Sequence, residues 1–357
     1  MTTPVKTPET KLKRPDESLF KRLTRQQLFI PIAALTLLVL FNLIADPSFF
    51  EVTMKENSLG NPVLSGNIIS VLDNASELVI LAIGITLVSA SSGGQDISVG
   101  ATMAIAGSVI LRMVCGGQVT ADVMQMPLLL AVGIGIVVSM FFGAFNGVLV
   151  AYFKIQPMVA TLIMFTAGRS IAAWINNNQL PIVNDISFKY AGTFLPGIPV
   201  PTPVFITLFM ILVFWLVLKF TNLGLYTQSV GINANSSRLN GLNPQLIKLL
   251  TYVILGVCVA VAGFIRVSRS GSINYSRIAE NIEMDAILAV ALGGNALSGG
   301  VGNVIGTFFG VLSLNTIKRI VSSLGFDEAW WSNITVAAML CLFLVIQSIV
   351  LLRKNKK

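Results

Sequence analysis

Apolar stretches of about 17 to 24 residues, separated by short polar ones, recur along the whole chain, and that rhythm limits the fold more than any other feature. A hydrocarbon core of ~30 Å takes about 20 helical residues to cross, against roughly 9–11 for a barrel strand. Inside lipid only helices and closed barrels satisfy the backbone, and these stretches are too long for strands. The chain therefore reads as an all-α polytopic membrane protein, in keeping with a mean hydropathy of +0.80 and only 11% charged residues. About ten spans are expected, at 28–45, 68–90, 97–114, 127–152, 157–175, 203–220, 249–268, 284–297, 302–322 and 331–352.

Charge sets the expected orientation. With the N-terminus inside, 15 of the 24 Lys and Arg residues fall on the inner side: the tail before residue 28, Lys154, the segment from Lys219 to Lys248, and the last five residues. Both termini are then cytoplasmic. The same bias accounts for the net charge of +8, and no basic stripe with interleaved aromatics points to nucleic acid. Residues 1–27, with Pro4, Pro8 and Pro15 among charges, read as a disordered tail. No small-x-small cleavage site follows Ala45, so the first apolar stretch is expected to be a span and not a removable leader. The resulting plan is a membrane domain at 28–352, with a cytoplasmic loop at 221–248, and a short tail at 353–357.

Several chemistries are excluded. The chain has no histidine, and Cys115, Cys258 and Cys341 are isolated in or beside apolar stretches, which suits packed thiols and not a metal site or disulfide framework. No G-x-x-x-x-G-K-[ST] phosphate loop and no Ser/His/Asp set occurs. A catalytic site, a cofactor and a metal are therefore not expected, and the chain reads as a non-enzyme.

The segment from Thr221 to Lys248 is polar and carries its own capping chemistry. Asn233 is placed to N-cap a helix from Ala234 to Asn240, Gly241 to end it in the left-handed conformation, and Pro244 to prevent its resumption. A helix shorter than roughly 12 residues does not repay its nucleation cost alone. This one needs another surface, and a partner protein is the expected one.

Two glycine-rich breaks, Ser91–Gly100 (SSGGQDISVG) and Gly293–Gly302 (GGNALSGGVG), interrupt apolar stretches. The second follows a stretch of about 14 residues, too short to cross ~30 Å, so a half-helix entering from outside and turning back near the midplane is expected. Irregular backbone at that depth is tolerated where protein or a water-filled cavity covers it, so the breaks are candidates to line a pathway. Asp96 is either a pathway carboxylate or a cap for the helix that follows. Gln95, Asn146, Asn295 and Ser298 are either pathway lining or interhelical hydrogen-bonding groups. Gly302, Gly306 and Gly310 repeat every four residues, a close-packing face whose neighbour lies in this chain or in a second subunit; Gly143 and Gly147 repeat the pattern more weakly. Arg169 is expected to reach the outer interface and pair with Asp185 or another acid there. Trp174, Trp330 and Trp331 sit at inferred outer boundaries.

Four segments, SGGQDISVGATMAIAG from Ser92, KIQPMVATLIMFTAGR from Lys154, VGINANSSRLNGLN from Val230 and DAILAVALGGNALSGGVGNVIGT from Asp285, resemble in order and spacing the permease subunits of ribose-, xylose- and galactose-type ATP-binding-cassette importers. Galactofuranose-type systems are the nearest group, and the resemblance spans about residues 28–350. It implies a translocation subunit in the cytoplasmic (inner) membrane of a bacterium, working with a second permease (the same chain or a paralogue), a tandem-domain cytoplasmic ATPase and a periplasmic or extracellular sugar-binding protein. It also implies that Gly231, Asn235, Ser236, Ser237, Arg238, Leu239 and Gly241 belong to a coupling segment that docks on the ATPase. The family usually has alanines where this chain has Ser236 and Ser237, and an apolar residue where it has Gln95. The alternative from another class is an ion-coupled secondary carrier, which normally shows midplane ionisable residues; Asp96 is the one candidate here. A channel, the second alternative, needs no capped docking loop.

Overall fold

The computed structural model describes residues 28–56, 61–323, 325, 330–331, 333–338, 341 and 345. The two tails and most of the tenth expected span lie outside the described residues.

The described residues are mostly helical. Helix α1 covers Phe29–Ala45 and leads, through one 3₁₀ turn at Pro47–Phe50, into the antiparallel hairpin β1 (Thr53–Glu56) and β2 (Pro62–Ser65). Helix α2 (Asn67–Ser92) is followed by α3 (Val99–Val114), strand β3 (Thr120–Ala121), α4 (Leu128–Ala151) and α5 (Pro157–Ile175). Then come β4 (Ile182–Val183), parallel to β3, a single turn α6 (Ile186–Lys189) and α7 (Thr202–Phe220). The remainder is α8 (Leu223–Ile232), α9 (Ala234–Leu239), α10 (Pro244–Ser270), α11 (Ile282–Leu292) and α12 (Val304–Ser323). Among the described residues six helices, α2, α4, α5, α7, α10 and α12, are long and apolar enough to cross a membrane, while α1 and α3 are apolar but shorter.

Burial sorts these helices into two shells. The apolar windows of α2, α10 and α12 are 67%, 61% and 56% buried, against 22% to 28% for α4, α5 and α7. The inner three form the core, and the outer three present Phe141, Phe165, Phe209 and Trp215 outward. Close approach within the bundle is bought with small residues: Gly143 lies against the backbone of Tyr252, and Gly256 against that of Ser139, which locks α4 to α10. Gly168 of α5 meets Ala101 of α3 in the same way.

The C-terminal ends of α2, α4 and α7 and the N-terminal ends of α5 and α10 gather at the end carrying α8 and α9, termed the loop end; the opposite end is the far end. Gly93 (φ +67°) and Gly271 (φ +65°) terminate α2 and α10 in the left-handed conformation that glycine adopts without penalty.

Three expectations need correction. Pro244 does not stop the helix; it is the first residue of α10, where its missing N–H is an orphan in any case, and Asn243 caps that helix through Leu246 N–H at 3.1 Å. A further helix, α8, fills the first part of the expected loop. The third concerns the half-helix. At about 1.5 Å per residue α11 spans only ~16 Å, but its turn lies at the loop end and not halfway: Gly300 N–H donates to Ala90 O at 3.0 Å, beside the end of α2. The missing length is on the other side, where residues 272–281 descend from the far end mostly without helix and bring Ala279 and Glu283 against Gly100. The first break mirrors this, with residues 93–98 rising without helix from the loop end to the start of α3 at Val99.

Candidate coupling and translocation site

Helix α9 forms where its capping residues dictate. Asn233 Oδ1 accepts Ser236 N–H at 3.0 Å, and Gly241 (φ +83°) closes the C-terminus, its N–H donating to Arg238 O at 3.0 Å while Leu242 N–H donates to Ser237 O at 3.1 Å. Asn235, Ser236, Arg238 and Leu239 face outward, Leu239 at 90% exposure, whereas Ser237 is buried. Leu239 thus stands open at the tip of a six-residue helix.

The preceding helix ties this tip to the second break and to the end of α2, just before the first. A methyl group on Gly231 would overlap Ala90 O and come within 2.6 Å of Gly300 N, so only glycine fits. Gln228 Nε2 donates to Gly302 O at 3.0 Å, and Ile232 packs on Gly300. The two breaks also hold each other. Gly93 sits against Ser298 O, Ser89 Oγ donates to Ala296 O at 3.2 Å, and Gln95 Nε2 donates to Ser89 Oγ at 2.9 Å and to Leu297 O at 3.2 Å. The Nε2 of Gln95 thus has buried partners, whereas its Oε1 is buried with none among the described residues.

Asn295 organises the second turn from inside. Its Nδ2 donates to Val290 O and Thr307 Oγ1, both at 2.9 Å, its Oδ1 accepts Asn303 N–H, and Thr307 shares a hydrogen bond with Thr86 at 2.7 Å. Ser298 is exposed on the same turn. The glycine face that follows finds its neighbours within the chain: Gly306 on the backbone of Gly293, Gly310 on that of Ala289, and Gly302 on Ala90.

Asp96 and Asn146 form a separate cluster higher in the bundle. Asp96 Oδ1 accepts both the N–H and the Oγ–H of Ser98 at 2.7 Å, and Asn146 Nδ2 donates to Ser98 Oγ at 2.9 Å, all buried. The carboxylate thus orders the residue just before α3 and does not reach the helix's first turn.

Arg169 departs from expectation. Its Nη1 donates to the carbonyls of Tyr275, Ser276 and Ile278 at 3.1, 3.1 and 2.9 Å, whereas Asp185 is engaged by Ser187 N–H and Met124 N–H. Backbone without helix inside a bundle leaves carbonyls unpaired, and one guanidinium satisfies three of them.

Sequence reasoning missed a charged group at the far end. Arg266 and Arg269 of α10 face Asp73 and Glu77 of α2, and Lys318 of α12 meets Asp285 of α11 at 2.5 Å. The signal was present in the spacing, since Asp73/Glu77 and Arg266/Arg269 lie four and three apart on single helix faces, but the cations had been read for orientation alone. Cys115 and Cys258 are buried, Cys341 is exposed, and burial pushes the Cys115 thiol up. No group of metal-ligating side chains occurs among the described residues.

The fold and these junctions can be set beside known proteins. The family described as branched-chain amino acid transport system / permease component matches residues 67–344. The chain belongs to this family. The galactofuranose transporter permease protein of Escherichia coli is 36% identical over 337 residues, covering 93% of each chain. The fructose import permease protein of Bifidobacterium longum is 31% identical over 320 residues, 88% of this chain and 86% of its own. The ribose import permease protein of Escherichia coli is 32% identical over 318 residues, 87% and 91% respectively. No solved structure matches. The chain is a permease subunit of the ATP-binding-cassette importer class and not an enzyme, and the ion-coupled carrier is not favoured.

Proposed function

We propose that this chain imports a monosaccharide, with α9 as the element that receives force from a cytoplasmic tandem-domain ATPase. The observation that carries the reading is the junction at Gly231: the helix leading to the exposed α9 touches both the second break and the end of α2 that leads into the first, so a displacement of α9 reaches the interior without crossing a flexible linker. The sugar permeases to which the chain is similar over most of its length support a sugar over an amino acid as cargo. In this reading about ten crossings place both termini and α9 in the cytoplasm of a bacterium. The far end receives the sugar from a periplasmic or extracellular binding protein, and a second permease, identical or paralogous, completes the pathway. Gln95, Asn295 and Ser298 at the junction, and Asp96 and Asn146 in the separate cluster, are kept as candidate pathway-lining residues, since alternating access requires contacts that differ between two states.

The test is to purify the complex from co-expressed neighbouring genes and measure ATP hydrolysis with sugar-loaded binding protein. Stimulated hydrolysis is expected. In intact cells, cysteine in place of Asn235 should resist an impermeant thiol reagent, while cysteine in place of Ser187 should react; labelling of Asn235→Cys from outside would overturn the orientation.

A further inference from the structure

The charged residues at the far end line a cavity of about 330 Å³ bounded by α2, α10, α11 and α12. Four cations border it, Arg266, Arg269, Lys318 and Arg319, against two carboxylates, Glu77 and Asp285. Asp73 adds a third acid by pairing with Arg269 at 3.0 Å, so one positive charge is left over. Lys318 is matched by Asp285, and Glu77 lies between Arg266 and Arg269. The cation without an acid among the described residues is Arg319, whose Nε donates to the neutral Asn67 Oδ1 at 2.7 Å. Arg266 is only partly engaged. Its Nε lies 3.0 Å from Glu77 Oε2, yet its side chain is 40% exposed, and a guanidinium carries five N–H donors. Two guanidinium groups with N–H donors to spare, one on α10 and one on α12, therefore border one open space beside the exposed Asn74 amide.

We infer that this cavity binds a phosphate group, carried by a small soluble ester or by a phospholipid head group, with Arg319 and Arg266 as its anchors. The excess positive charge selects an anion, and the planar fork of arginine matches phosphate oxygens two at a time. A phosphate presents oxygens on several sides, so anchors on two helices and the Asn74 amide can engage it together. A carboxylate offers only two oxygens in one plane. The volume, at the lower end of the ~300–1,000 Å³ range for small-molecule sites, leaves room for a glycerol-sized substituent. Arg266 and Arg319 each lie four residues before the end of their helix, ~6 Å at 1.5 Å per residue. In the proposed topology that places them near the phosphates of the outer leaflet. The lipid source rests on that topology, whereas the soluble source does not, and neither ligand is assigned as cargo.

The experiment reads the melting temperature of the purified full complex. In detergent it is measured with glycerol 3-phosphate or with succinate at equal ionic strength, and in nanodiscs with phosphatidylcholine alone or mixed with phosphatidylglycerol. A ligand that binds only the folded state raises the melting temperature, here by about 2 °C or more, with glycerol 3-phosphate, with phosphatidylglycerol or with both. A rise with the ester alone identifies a soluble ligand, and a rise with the lipid alone identifies a head group. Arg319→Gln should abolish the rise, and because Arg319 pairs with no acid among the described residues, the change strands no carboxylate. Asn74→Asp, at an exposed position, should abolish it by opposing the anion, and it carries the comparison if Arg319→Gln fails to assemble. Lys55→Gln, on the exposed hairpin at the same end, should keep it. No rise with either phosphate source overturns the site. An equal rise with succinate, or an undiminished rise in Arg319→Gln and Asn74→Asp, also overturns it, since general charge screening would then suffice. Melting does not depend on transport, so a complex whose ATP hydrolysis ignores sugar-loaded binding protein would sink the importer reading and leave this site standing.

Discussion

At the loop end Gly231, Gly300 and Gly93 press backbone against backbone, and the hydrogen bonds that hold the breaks together involve neutral groups. At the far end the same inner helices, α2, α10, α11 and α12, are held apart by long charged side chains around an open cavity. Backbone contact leaves no freedom to adjust, since interiors packed to that density yield only by discrete rearrangement. The partly exposed Lys318–Asp285 pair, on flexible stems, re-forms at small cost, although the buried Glu77 does not give up its arginines so readily. The contrast assigns rigid transmission to the end beside α9 and adaptable contact to the end that would meet cargo.

The largest expected effect comes from adding one carbon at the rigid end. In Gly231→Ala the methyl has no room against Ala90 O and Gly300 N, and neither backbone atom can rotate away. The cost should sit at the top of the ~1–3 kcal/mol range for overpacking, seen as a lowered melting temperature of the purified complex and loss of sugar uptake. Gly133→Ala in α4, where a methyl meets open space on a helical backbone, is the control, and equal losses for the two would dissolve the claim that the Gly231 junction transmits force.

Next come changes on α9 itself. Gly241 needs φ +83°, so a β-branched residue there is strained by about 1–2 kcal/mol, localised to the helix end. Gly241→Val and Arg238→Glu should therefore insert normally yet release the ATPase during purification and lose uptake, because both alter an exposed surface and neither touches the bundle. Wild-type uptake with wild-type ATPase retention in both variants would remove α9 from the coupling path.

The two ends also differed in what their residues revealed in advance. Helix α9 was legible because its determinants are local: an asparagine cap, a left-handed glycine and too few residues to stand alone. The breaks were legible as irregular backbone, but the depth of the second turn was not, because that depends on how far residues 272–281 descend, and no residue pattern there encodes it. Pro244 misled because proline ends one helix and begins another with equal ease. Arg169 was read as seeking an acid, and its actual partners are three backbone carbonyls, which carry no side-chain signature. The far-end cavity joins Glu77 to Arg266 across 189 positions of sequence, so its halves were visible only as separate charged pairs.

Between the ends, Asp96 tests whether a buried carboxylate acts by charge or by geometry. Its Oδ1 accepts two hydrogen bonds from Ser98, and an asparagine oxygen can accept both. Asp96→Asn should retain most uptake, and Asp96→Ala should cost about 1–3 kcal/mol by orphaning the Ser98 N–H. Full loss of uptake in the asparagine variant at normal expression would instead show that the charge itself is needed.

The smallest effect is expected at the adaptable end, in the Lys318–Asp285 pair that joins α12 to α11. Both side chains are nearly a third exposed, at 30% and 28%, so water screens the attraction and the pair should be worth only ~0.2–1 kcal/mol. A double-mutant cycle of Lys318→Met and Asp285→Asn, read by thermal unfolding at low and high salt, should return a coupling energy in that range that shrinks as salt rises. The hairpin itself should survive, because Gly306 and Gly310 still pack its helices backbone to backbone at the loop end. A coupling energy several times larger and insensitive to salt would mean that the far end is locked as firmly as the junction at Gly231, and the division into a rigid and an adaptable end would fail.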